Sequence, residues 1–213
     1  MANIIVFGAG GKIGSRIVTE ASNRGHTVRA VVRSSGASPS ENRRVDSAIG
    51  DATDAESVRA LANDADILVA AVGGPDKSVY LRAAQTLVAT AKELDDNAPR
   101  IFHCGGGGSL LNNDGVRFVD TPAIPESLRE EVLGQAAALD FYRTVTGVPW
   151  TYLSPPPGNF APGERTGTYK TDGESPVRDA SGGMGISYED FAIAVLDEIE
   201  NPKHPNARFT VGY

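Results

Sequence analysis

The stretch Ile4-Ile5-Val6-Phe7-Gly8-Ala9-Gly10-Gly11-Lys12-Ile13-Gly14 decides the fold of this chain. Four apolar residues typical of a buried strand run directly into a glycine-rich turn, and a helical pattern follows over residues 12–23. This order brings backbone N–H groups and the positive end of a helix dipole together, an arrangement that suits a pyrophosphate. In such a turn Gly8 allows the tight bend, Gly11 lets phosphates approach the backbone, and Gly14 lets the helix pack on the strand.

The position of this turn within the chain sharpens the prediction. Glycine is common and any tight strand-to-helix turn can use it, so the triplet alone also fits a plain structural turn. Here the turn follows a strand, opens a helix and belongs to a unit that returns to a second strand at residues 27–33. That context favours a dinucleotide, whose phosphates would meet the first helical residues, Lys12 and Ile13.

Apolar runs and helical patterns alternate along most of the chain. We expect strands at 4–7, 28–32, 45–49, 67–72, 101–102, 150–153 and 208–211, and helices near 12–23, 54–63, 77–97, 127–146 and 188–200. This alternation predicts an α/β fold, a doubly wound parallel sheet of the Rossmann type with helices on both faces. Residues 1–213 are then expected to form a single dinucleotide-binding domain.

Three segments carry helix-start signals. Each places a hydroxyl side chain three residues before an acidic one, which is typical of a capping box. The segments are Thr53-Asp54-Ala55-Glu56, Ser127-Leu128-Arg129-Glu130 and Ser187-Tyr188-Glu189-Asp190.

Residues 155–187 differ in composition from the rest of the chain, because they are dense in proline, glycine and charged residues. We expect an irregular C-terminal excursion that forms a small substrate lobe over the reactive end of the cofactor. A floppy insertion is the alternative, since long structureless loops are either functional or disordered. Residues 34–44, which are polar and rich in serine, are expected to form a mobile surface loop.

Composition and charge exclude several classes of function. The chain has 213 residues and a formal net charge of −7, which argues against nucleic acid or an anionic membrane as a partner. Cys104 is the only cysteine and the three histidines are widely scattered, so we expect no metal site. No apolar run is long enough to span a membrane and the first strand follows Met1-Ala2-Asn3 directly, which favours a cytoplasmic protein.

The residue that ends the second strand discriminates between nicotinamide cofactors, because it faces the adenosine ribose. NAD-binding proteins commonly carry Asp or Glu there, about 20 residues beyond the glycine turn. Here Arg33 stands nineteen residues after Gly14, next to Ser34 and Ser35. A guanidinium can hold a 2′-phosphate with two donors, and Lys12 adds a second positive charge. We therefore expect NADP(H), with NADPH preferred over NADH; two solvated surface cations are the alternative.

Residues after the third and fourth strands complete the expected cofactor site. Asp51, followed by Ala52, can accept a hydrogen bond from the adenine amino group, or it can simply lead into the next helix. Val72, Gly73 and Gly74 end the fourth strand, and their small size lets a cofactor lie close to the backbone.

These residues together resemble the atypical branch of the short-chain dehydrogenase/reductase superfamily, more narrowly its NAD(P)H-binding, NmrA-like and NADH–flavin reductase-like members. The resemblance covers essentially all of the chain. It rests on the N-terminal glycine turn, Gly50-Asp51-Ala52-Thr53, the glycine run before Ser109-Leu110, Trp150-Thr151-Tyr152-Leu153-Ser154-Pro155, Pro162-Gly163-Glu164-Arg165-Thr166-Gly167, Ile186-Ser187-Tyr188-Glu189-Asp190-Phe191-Ala192 and Arg208-Phe209-Thr210-Val211. The resemblance implies a Rossmann-type fold, a bound nicotinamide cofactor and a small C-terminal substrate lobe. It also makes Ser109 the substrate-facing, candidate catalytic residue; a loop serine bonded to local backbone is the alternative.

One departure from the superfamily pattern concerns the proton relay. Typical members reduce carbonyls with a Tyr-x-x-x-Lys pair, in which the lysine lowers the pKa of the tyrosine. No tyrosine of this chain has a lysine four residues later, and Glu131 and Gln135 stand roughly where the pair would be expected. Without a positioned acid, reduction of an ordinary ketone loses on the order of 10²–10⁴ in rate.

The missing pair shifts the expected chemistry toward acceptors that spread the arriving charge over a conjugated ring. Flavins and quinones do so and can collect protons from solvent, so the site needs little more than stacking geometry. We expect an NAD(P)H-dependent reductase of a flavin, a quinone or a similar planar small molecule. The alternative is a non-catalytic NADP(H)-binding redox sensor with a protein partner. An epimerase is less favoured, since it usually relies on the missing tyrosine.

Several further residues complete the candidate set. Those expected to wall the acceptor pocket are Tyr152, Asn159, Phe160 and Arg165. His103 and Cys104, at the end of the fifth strand, fit packing better than catalysis, because no acid partner is visible in the sequence. His26 and His204 are expected to be solvated.

Overall fold

The computed structural model describes residues 1–34 and 44–213. Its strands, numbered in chain order, are β1 (Asn3–Phe7), β2 (Thr27–Val32), β3 (Val45–Ile49), β4 (Ile67–Ala70), β5 (Arg100–Cys104), β6 (Trp150–Ser154), β7 (Asn159–Ala161), β8 (Lys170–Asp172), β9 (Gly185–Ser187) and β10 (Ala207–Gly212). Its helices are α1 (Gly14–Asn23), α2 (Ala55–Ala62), α3 (Val79–Glu93), α4 (Glu126–Tyr142) and α5 (Tyr188–Glu200).

Within the described residues, eight strands form one sheet in the order β3-β2-β1-β4-β5-β6-β10-β8. The neighbouring strands are parallel except β8, which runs antiparallel to β10. The strand order reverses at β1, which lies between β2 and β4, and ligands bind outside the carboxyl ends of strands at such a point. The predicted Rossmann-type sheet is confirmed.

The strands bury alternate side chains against two helical layers. In β1, Ile4 and Val6 pack in a core with α1 and α5, whereas Ile5 and Phe7 pack in a second core with α2, α3 and α4. This alternation follows from the two-residue period of a strand. Because β1 is buried on both faces, all of its inward-facing residues on either side are apolar, and its sequence is a continuous apolar run. None of the helices in the described part of the chain is long and apolar enough to cross a membrane.

Three helix starts were predicted, and the structure confirms one. Ser187 precedes α5 and its hydroxyl accepts a hydrogen bond from the Asp190 backbone N–H at 3.0 Å. The prediction for Thr53 is wrong, because Asp54 precedes α2 and its carboxylate accepts from the Glu56 N–H at 3.2 Å. Ser127 does not begin α4 either, because Pro125 precedes the helix, and proline suits the residue just before or at a helix start.

Residues 155–187 are more regular than expected. β7 and β9 pair in parallel as a second, two-stranded sheet, and β8 joins the edge of the main sheet through β10. An ion pair between Arg165 and Glu20 of α1, at 2.8 Å, ties this segment to the body of the molecule. These three strands have three residues each, so the rest of the segment is irregular, as expected, and a role in holding substrate stays a prediction. The loop expected at 34–44 lies almost entirely outside the described residues.

Two histidines expected to be solvated are packed instead. His26 is buried: its Nδ1 accepts from the Ala2 N–H at 3.1 Å and its Nε2 lies 2.9 Å from a Glu200 oxygen. His204 stacks on Phe209 at 4.2 Å between ring centroids. The turn-like sequences around both residues gave no sign of these long-range partners.

Candidate functional site

A cavity of about 890 Å³ lies at the carboxyl ends of the parallel strands, a size within the range of about 300–1,000 Å³ that small-molecule sites occupy. It has two parts, which we name by their main elements. The glycine-turn half is lined by Gly8, residues 10–13, 32–34, 50–52 and 71–74. The α4 half is lined by Tyr80, residues 104–108, Ile124, Leu128, Glu131, Val132, Gln135, residues 155–158, Phe160, Tyr188 and Phe191. The strand order places the glycine-turn half around β1 to β4 and the α4 half beside β5 and β6.

The glycine turn after β1 is fixed by close backbone approaches. Gly8 has φ +79°, in the left-handed region, and a Cβ there would lie 2.2 Å from the Ala71 carbonyl oxygen. A Cβ on Gly14 would lie 2.2 Å from the Gly8 carbonyl oxygen, so this residue brings the start of α1 against the turn. Gly11 lines the cavity and its N–H donates to the Gly8 carbonyl at 2.9 Å.

The start of α1 differs from the starts of α2 and α5. Ile13 occupies the position before α1 and makes no side-chain cap, whereas Asp54 and Ser187 cap the other two helices. An uncapped helix start carries unsatisfied N–H groups and the positive end of the helix dipole. Here the Ser15 and Arg16 N–H groups donate to the Gly11 and Ile13 carbonyls at 3.0 and 3.1 Å. The positive end of the helix dipole, beside the cavity-lining Lys12 and Ile13, is therefore what faces a bound anion.

Arg33 lies at the end of β2 and reaches across the glycine-turn half. A Cβ on Gly74 would lie 3.5 Å from Arg33 Nη1, so the guanidinium spans the opening between the end of β2 and the loop after β4. Ser34 lines the cavity beside it. The structure therefore brings Arg33 to the same cavity as the glycine turn, as the sequence predicted.

Asp51 lines the cavity and also organises the start of α2. Its Oδ1 accepts from both the backbone N–H and the hydroxyl of Thr53, each at 2.8 Å. Asp51 can therefore lead into α2 and still lie where it could accept a hydrogen bond from an adenine amino group, the two roles that the sequence left open. Ala52, Val72 and Gly73 line the cavity nearby and leave the backbone accessible.

The glycine run 105–108 forms one wall of the α4 half, and close packing fixes its composition. A Cβ added to any of these four glycines would approach a neighbouring residue within 1.5–2.5 Å. The neighbours, in chain order of the glycines, are Tyr152, Gln135, Pro155 and Val132. The run therefore allows α4 and the chain after β6 to close directly onto the end of β5.

A hydrogen-bonded group of three side chains joins α3 to α4 at this wall. The Tyr80 hydroxyl donates to Glu131 Oε1 at 3.0 Å, and Lys77 Nζ donates to Glu131 Oε2 at 3.0 Å and to the Gly74 carbonyl at 2.9 Å. Burial, helped by the Glu131 charge, raises the pKa of Tyr80 to about 12. Tyr80 is therefore a neutral hydrogen-bond donor at physiological pH.

Aromatic rings form the opposite wall of the α4 half. Phe160 meets Tyr188 edge-on at 4.7 Å between centroids and packs against Phe191 at 5.0 Å. The Arg16 guanidinium lies 5.3 Å from the Tyr188 ring centroid, which holds that ring in place from outside the cavity. This wall is aromatic, and none of the described residues that form it is charged.

Several expected site residues lie elsewhere. Ser109 is buried in a 3₁₀ turn, its hydroxyl has no partner among the described residues, and it is not part of the cavity lining; its catalytic role stays a prediction. Tyr152 is buried beneath the glycine run, Arg165 pairs with Glu20, and Asn159 borders a second cavity of about 440 Å³. Of the four expected wall residues, Phe160 lines the main cavity.

His103 and Cys104 have the packing roles expected for them. His103 is fully buried, which lowers its pKa to about 3, and it stacks on Tyr152 at 5.1 Å and contacts the Tyr142 hydroxyl at 3.2 Å. Burial also raises the pKa of the Cys104 thiol, so it stays protonated. The floor of the α4 half is therefore uncharged.

Glu131 and Gln135, which stand roughly where the tyrosine–lysine pair would be expected, line the cavity, whereas nothing in the sequence indicated Tyr80 and Lys77. Glu131 and Gln135 lie four residues apart on α4, which puts both on the face that lines the cavity. Tyr80 and Lys77 sit at the start of α3, just beyond the small residues that end β4. Their distance in sequence from Glu131 gave no signal of the contact.

A family model described as NAD(P)H-binding matches residues 8–202. The chain belongs to this NAD(P)H-binding family. With the Rossmann-type fold, this makes it an atypical member of the short-chain dehydrogenase/reductase superfamily that binds a nicotinamide dinucleotide.

Three solved structures are similar to the chain over nearly their whole lengths. A candidate epimerase from Bacteroides thetaiotaomicron is 31% identical, with a TM-score of 0.91 over 100% of this chain and 97% of that chain. SP1627, a candidate NADH–flavin reductase from Streptococcus pneumoniae, is 29% identical, with a TM-score of 0.88 over 100% and 99%. A candidate exported protein from Burkholderia pseudomallei is 34% identical, with a TM-score of 0.87 over 100% of both chains. Since one of these names refers to export, the cytoplasmic location stays a prediction.

The residues of the glycine-turn half fit the cofactor that the family binds. Gly8 and Gly14 sit where a Cβ would collide with backbone, the start of α1 is uncapped, and Lys12 and Arg33 supply positive charge. Phosphates would lie against the start of α1, and the adenosine would lie toward Arg33 and Asp51.

Proposed function

We propose that this protein is an NADPH-dependent reductase of a flavin, a quinone or a similar planar acceptor. One observation carries the proposal: a single cavity of about 890 Å³ joins a half suited to a dinucleotide to a half walled by flat, apolar and aromatic groups. A dinucleotide and a planar ring can therefore share the cavity, with the ring against the reactive end of the cofactor.

Arg33 and Lys12 support NADPH over NADH. Both line the glycine-turn half, and neither can accept the hydrogen bonds that a carboxylate would take from the ribose hydroxyls of NADH. A guanidinium at the end of β2 instead suits the doubly charged 2′-phosphate of NADPH.

The state of Tyr80 argues against reduction of ordinary ketones. A tyrosine that relays a proton to an alkoxide needs a neighbouring cation that lowers its pKa. Here the hydroxyl of Tyr80 donates to the Glu131 carboxylate at 3.0 Å, and its pKa is raised to about 12. The environment of this tyrosine is thus opposite to that of a proton relay.

A planar acceptor does not require such a relay. When bound, the reduced nicotinamide supplies a hydride, and one proton from water then completes the two-electron conversion of a quinone to a hydroquinone. The protein residues orient and enclose the acceptor: Phe160, Tyr188 and Phe191 line the α4 half with aromatic rings, and Pro155–Pro157 pack directly against Gly107 of the glycine run at the same cavity. The half-exposed Glu131 leaves a route for water to reach the ring.

The similar structure from Streptococcus pneumoniae, described as a candidate NADH–flavin reductase, supports this class of reaction. The name of the Bacteroides structure points to epimerase chemistry instead. The sequence speaks against that alternative here, because epimerases of this superfamily usually depend on the activated tyrosine and no tyrosine of this chain has a lysine four residues later.

Steady-state oxidation of NADPH at 340 nm tests the proposal. The acceptors are riboflavin, FMN, FAD, menadione and dichlorophenolindophenol, with a simple aryl ketone as the control substrate. We expect turnover with at least one planar acceptor and none with the ketone. In Tyr80→Phe we expect kcat for the accepted ring to stay within about threefold of wild type, because no proton passes through this hydroxyl.

Two outcomes would contradict the proposal. A loss of two or more orders of magnitude in Tyr80→Phe would make the tyrosine a proton donor after all. Tight NADPH binding without turnover of any acceptor would remove the reductase and leave a cofactor-binding sensor.

A further inference from the structure

The two halves of the cavity carry opposite charge. Lys12 and Arg33 line the glycine-turn half together with Asp51, so its lining carries two cations and one carboxylate. Among the described residues that line the α4 half, Glu131 bears the only charge, and the rest are glycine, proline, glutamine, cysteine, aliphatic or aromatic residues. A phosphate has a cationic partner in the first half and none in the second.

The nearest cations outside the α4 half are already engaged. Lys77 Nζ lies on the Gly74 carbonyl and on Glu131 Oε2, at 2.9 and 3.0 Å. Arg16 donates from Nε to Glu189 at 2.7 Å and from Nη1 to the Lys12 carbonyl at 2.9 Å. Neither side chain lines the cavity, so neither is positioned to hold an anion there.

Glu131 itself is held in place and faces the cavity. Its two oxygens accept from different residues, Tyr80 and Lys77, at 3.0 Å each, which fixes the carboxylate on the wall. Lys77 offsets part of the Glu131 charge and Glu131 is 37% exposed, but an anion that enters this half still loses part of its hydration beside a carboxylate and finds no cation in the cavity lining.

We propose that the α4 half selects an acceptor that is uncharged near its ring, and that Glu131 excludes acceptors carrying phosphate or sulfonate groups. This inference rests on the proposed function and narrows it to neutral quinones and non-phosphorylated isoalloxazines. The same difference in charge between the two halves orients the dinucleotide, because its phosphates have cationic partners in the glycine-turn half and its nicotinamide is left toward the α4 half.

Riboflavin and FMN form the test pair, because they share one ring system and differ by a phosphate. We expect the wild-type protein to reduce riboflavin with kcat/KM at least about tenfold above that for FMN. In Glu131→Gln, which keeps a hydrogen-bond acceptor for Tyr80 but removes the charge, this ratio should fall by about threefold or more. In Glu131→Lys it should reverse.

A second pair of variants keeps the test independent of the Glu131 contacts. Leu128 lines the α4 half and is 49% exposed, whereas Leu133 lies on the same helix, is 43% exposed and does not line the cavity. Leu128→Lys should raise kcat/KM for FMN severalfold, and the matched Leu133→Lys should leave the riboflavin-to-FMN ratio unchanged.

Binding gives a readout that does not depend on turnover. Each flavin is titrated into protein saturated with NADP⁺, with quenching of flavin fluorescence as the signal, and riboflavin should bind at least about tenfold more tightly than FMN. Equal or tighter binding of FMN, or an unchanged ratio in Glu131→Lys and Leu128→Lys, would overturn the inference. Reduction of FMN in preference to riboflavin would overturn it while leaving the reductase intact, and absence of all turnover would instead remove the proposed function.

Discussion

The two halves of the cavity are built in different ways. The glycine-turn half is made of backbone and small residues from the first 74 positions, gathered by four adjacent strands of the sheet. The α4 half is made of side chains from residues 80–191, brought together by α3, α4, α5 and the chain after β6. The first half depends on local geometry that recurs wherever a strand meets a helix. The second depends on long-range packing particular to this chain, and this difference separates binding of the cofactor from choice of the acceptor.

The helix starts show the same contrast on a smaller scale. Asp54 and Ser187 cap α2 and α5 with their own side chains, while the start of α1 has no such acceptor. A cap stabilises the folded chain by itself, whereas an uncapped start at a cavity gains its acceptor from a ligand. The four predictions below test these contrasts.

The largest expected effect is on the glycine turn. In Gly14→Ala the new Cβ would lie 2.2 Å from the Gly8 carbonyl oxygen, so α1 must shift away from the turn. We expect NADPH binding to weaken at least about 100-fold, or about 2.7 kcal/mol, by calorimetry. Gly173→Ala is the control, because a Cβ there meets nothing within 4 Å. Wild-type affinity in Gly14→Ala would show that this approach does not shape the site.

A smaller effect is expected at the adenosine end of the same half. In Arg33→Ser the 2′-phosphate loses its charged partner, and the preference for NADPH over NADH should fall by about 30-fold, or about 2 kcal/mol. The ratio of dissociation constants measures this. Arg29→Ser is the matched control: Arg29 also lies on β2 but pairs with Asp46 at 3.5 Å, outside the main cavity. An unchanged ratio in Arg33→Ser would mean that another residue reads the phosphate.

The uncharged floor of the α4 half predicts a pH effect on stability. Burial lowers the pKa of His103 to about 3, so the folded protein keeps it neutral while the unfolded chain takes up a proton below about pH 6.5. The contribution of His103 to the free energy of unfolding therefore reaches its full value only about one pH unit above 6.5. It falls by about 1.4 kcal/mol per pH unit as the pH drops toward 3.

Urea denaturation of the wild type and of His103→Phe at pH 7.5 and 5.5 measures this contribution to stability. The phenylalanine ring keeps the stack on Tyr152 but cannot titrate. The wild type should lose about 1.4 kcal/mol more than the variant over this interval. Parallel losses in the two proteins would show that His103 takes up protons in the folded state.

The smallest effect is expected at a capped helix. Asp54→Ala removes the side-chain acceptor at the start of α2 and should lower the free energy of unfolding by about 1 kcal/mol, with NADPH affinity unchanged. Asp54→Asn keeps an acceptor and should retain nearly full stability. Weaker NADPH binding in Asp54→Ala would contradict this account, because the capped start of α2 is expected to affect stability and not cofactor binding.

The glycine-turn half could be predicted from the sequence because its determinants are local. The spacing from Gly8 to Gly14 and the position of Arg33 after the second strand are fixed by strand and turn geometry, and the structure brings all of them to one cavity or its edge. The sequence predicted Thr53 as the cap of α2, but Asp54 caps it, because both residue types are good caps and local pattern does not distinguish adjacent positions.

The α4 half could be predicted only in part. A four-residue spacing on one helix singled out Glu131 and Gln135 as the place of the missing pair, but Tyr80 and Lys77 meet Glu131 across 51 and 54 residues of chain. Ser109 was placed by resemblance to a superfamily, and the packing of Val132 and Pro155 onto the neighbouring glycines encloses that turn instead. Contacts of this kind are set by how helices pack, which no local pattern encodes.

Calorimetric titration of the wild-type protein with NADPH and with NADH tests the central claim most directly. We expect a saturable one-to-one isotherm with NADPH, weaker binding of NADH, and a rise in melting temperature that grows with NADPH concentration. If neither nucleotide gives a saturable response at millimolar concentration, the cavity beside the glycine turn does not hold a nicotinamide dinucleotide.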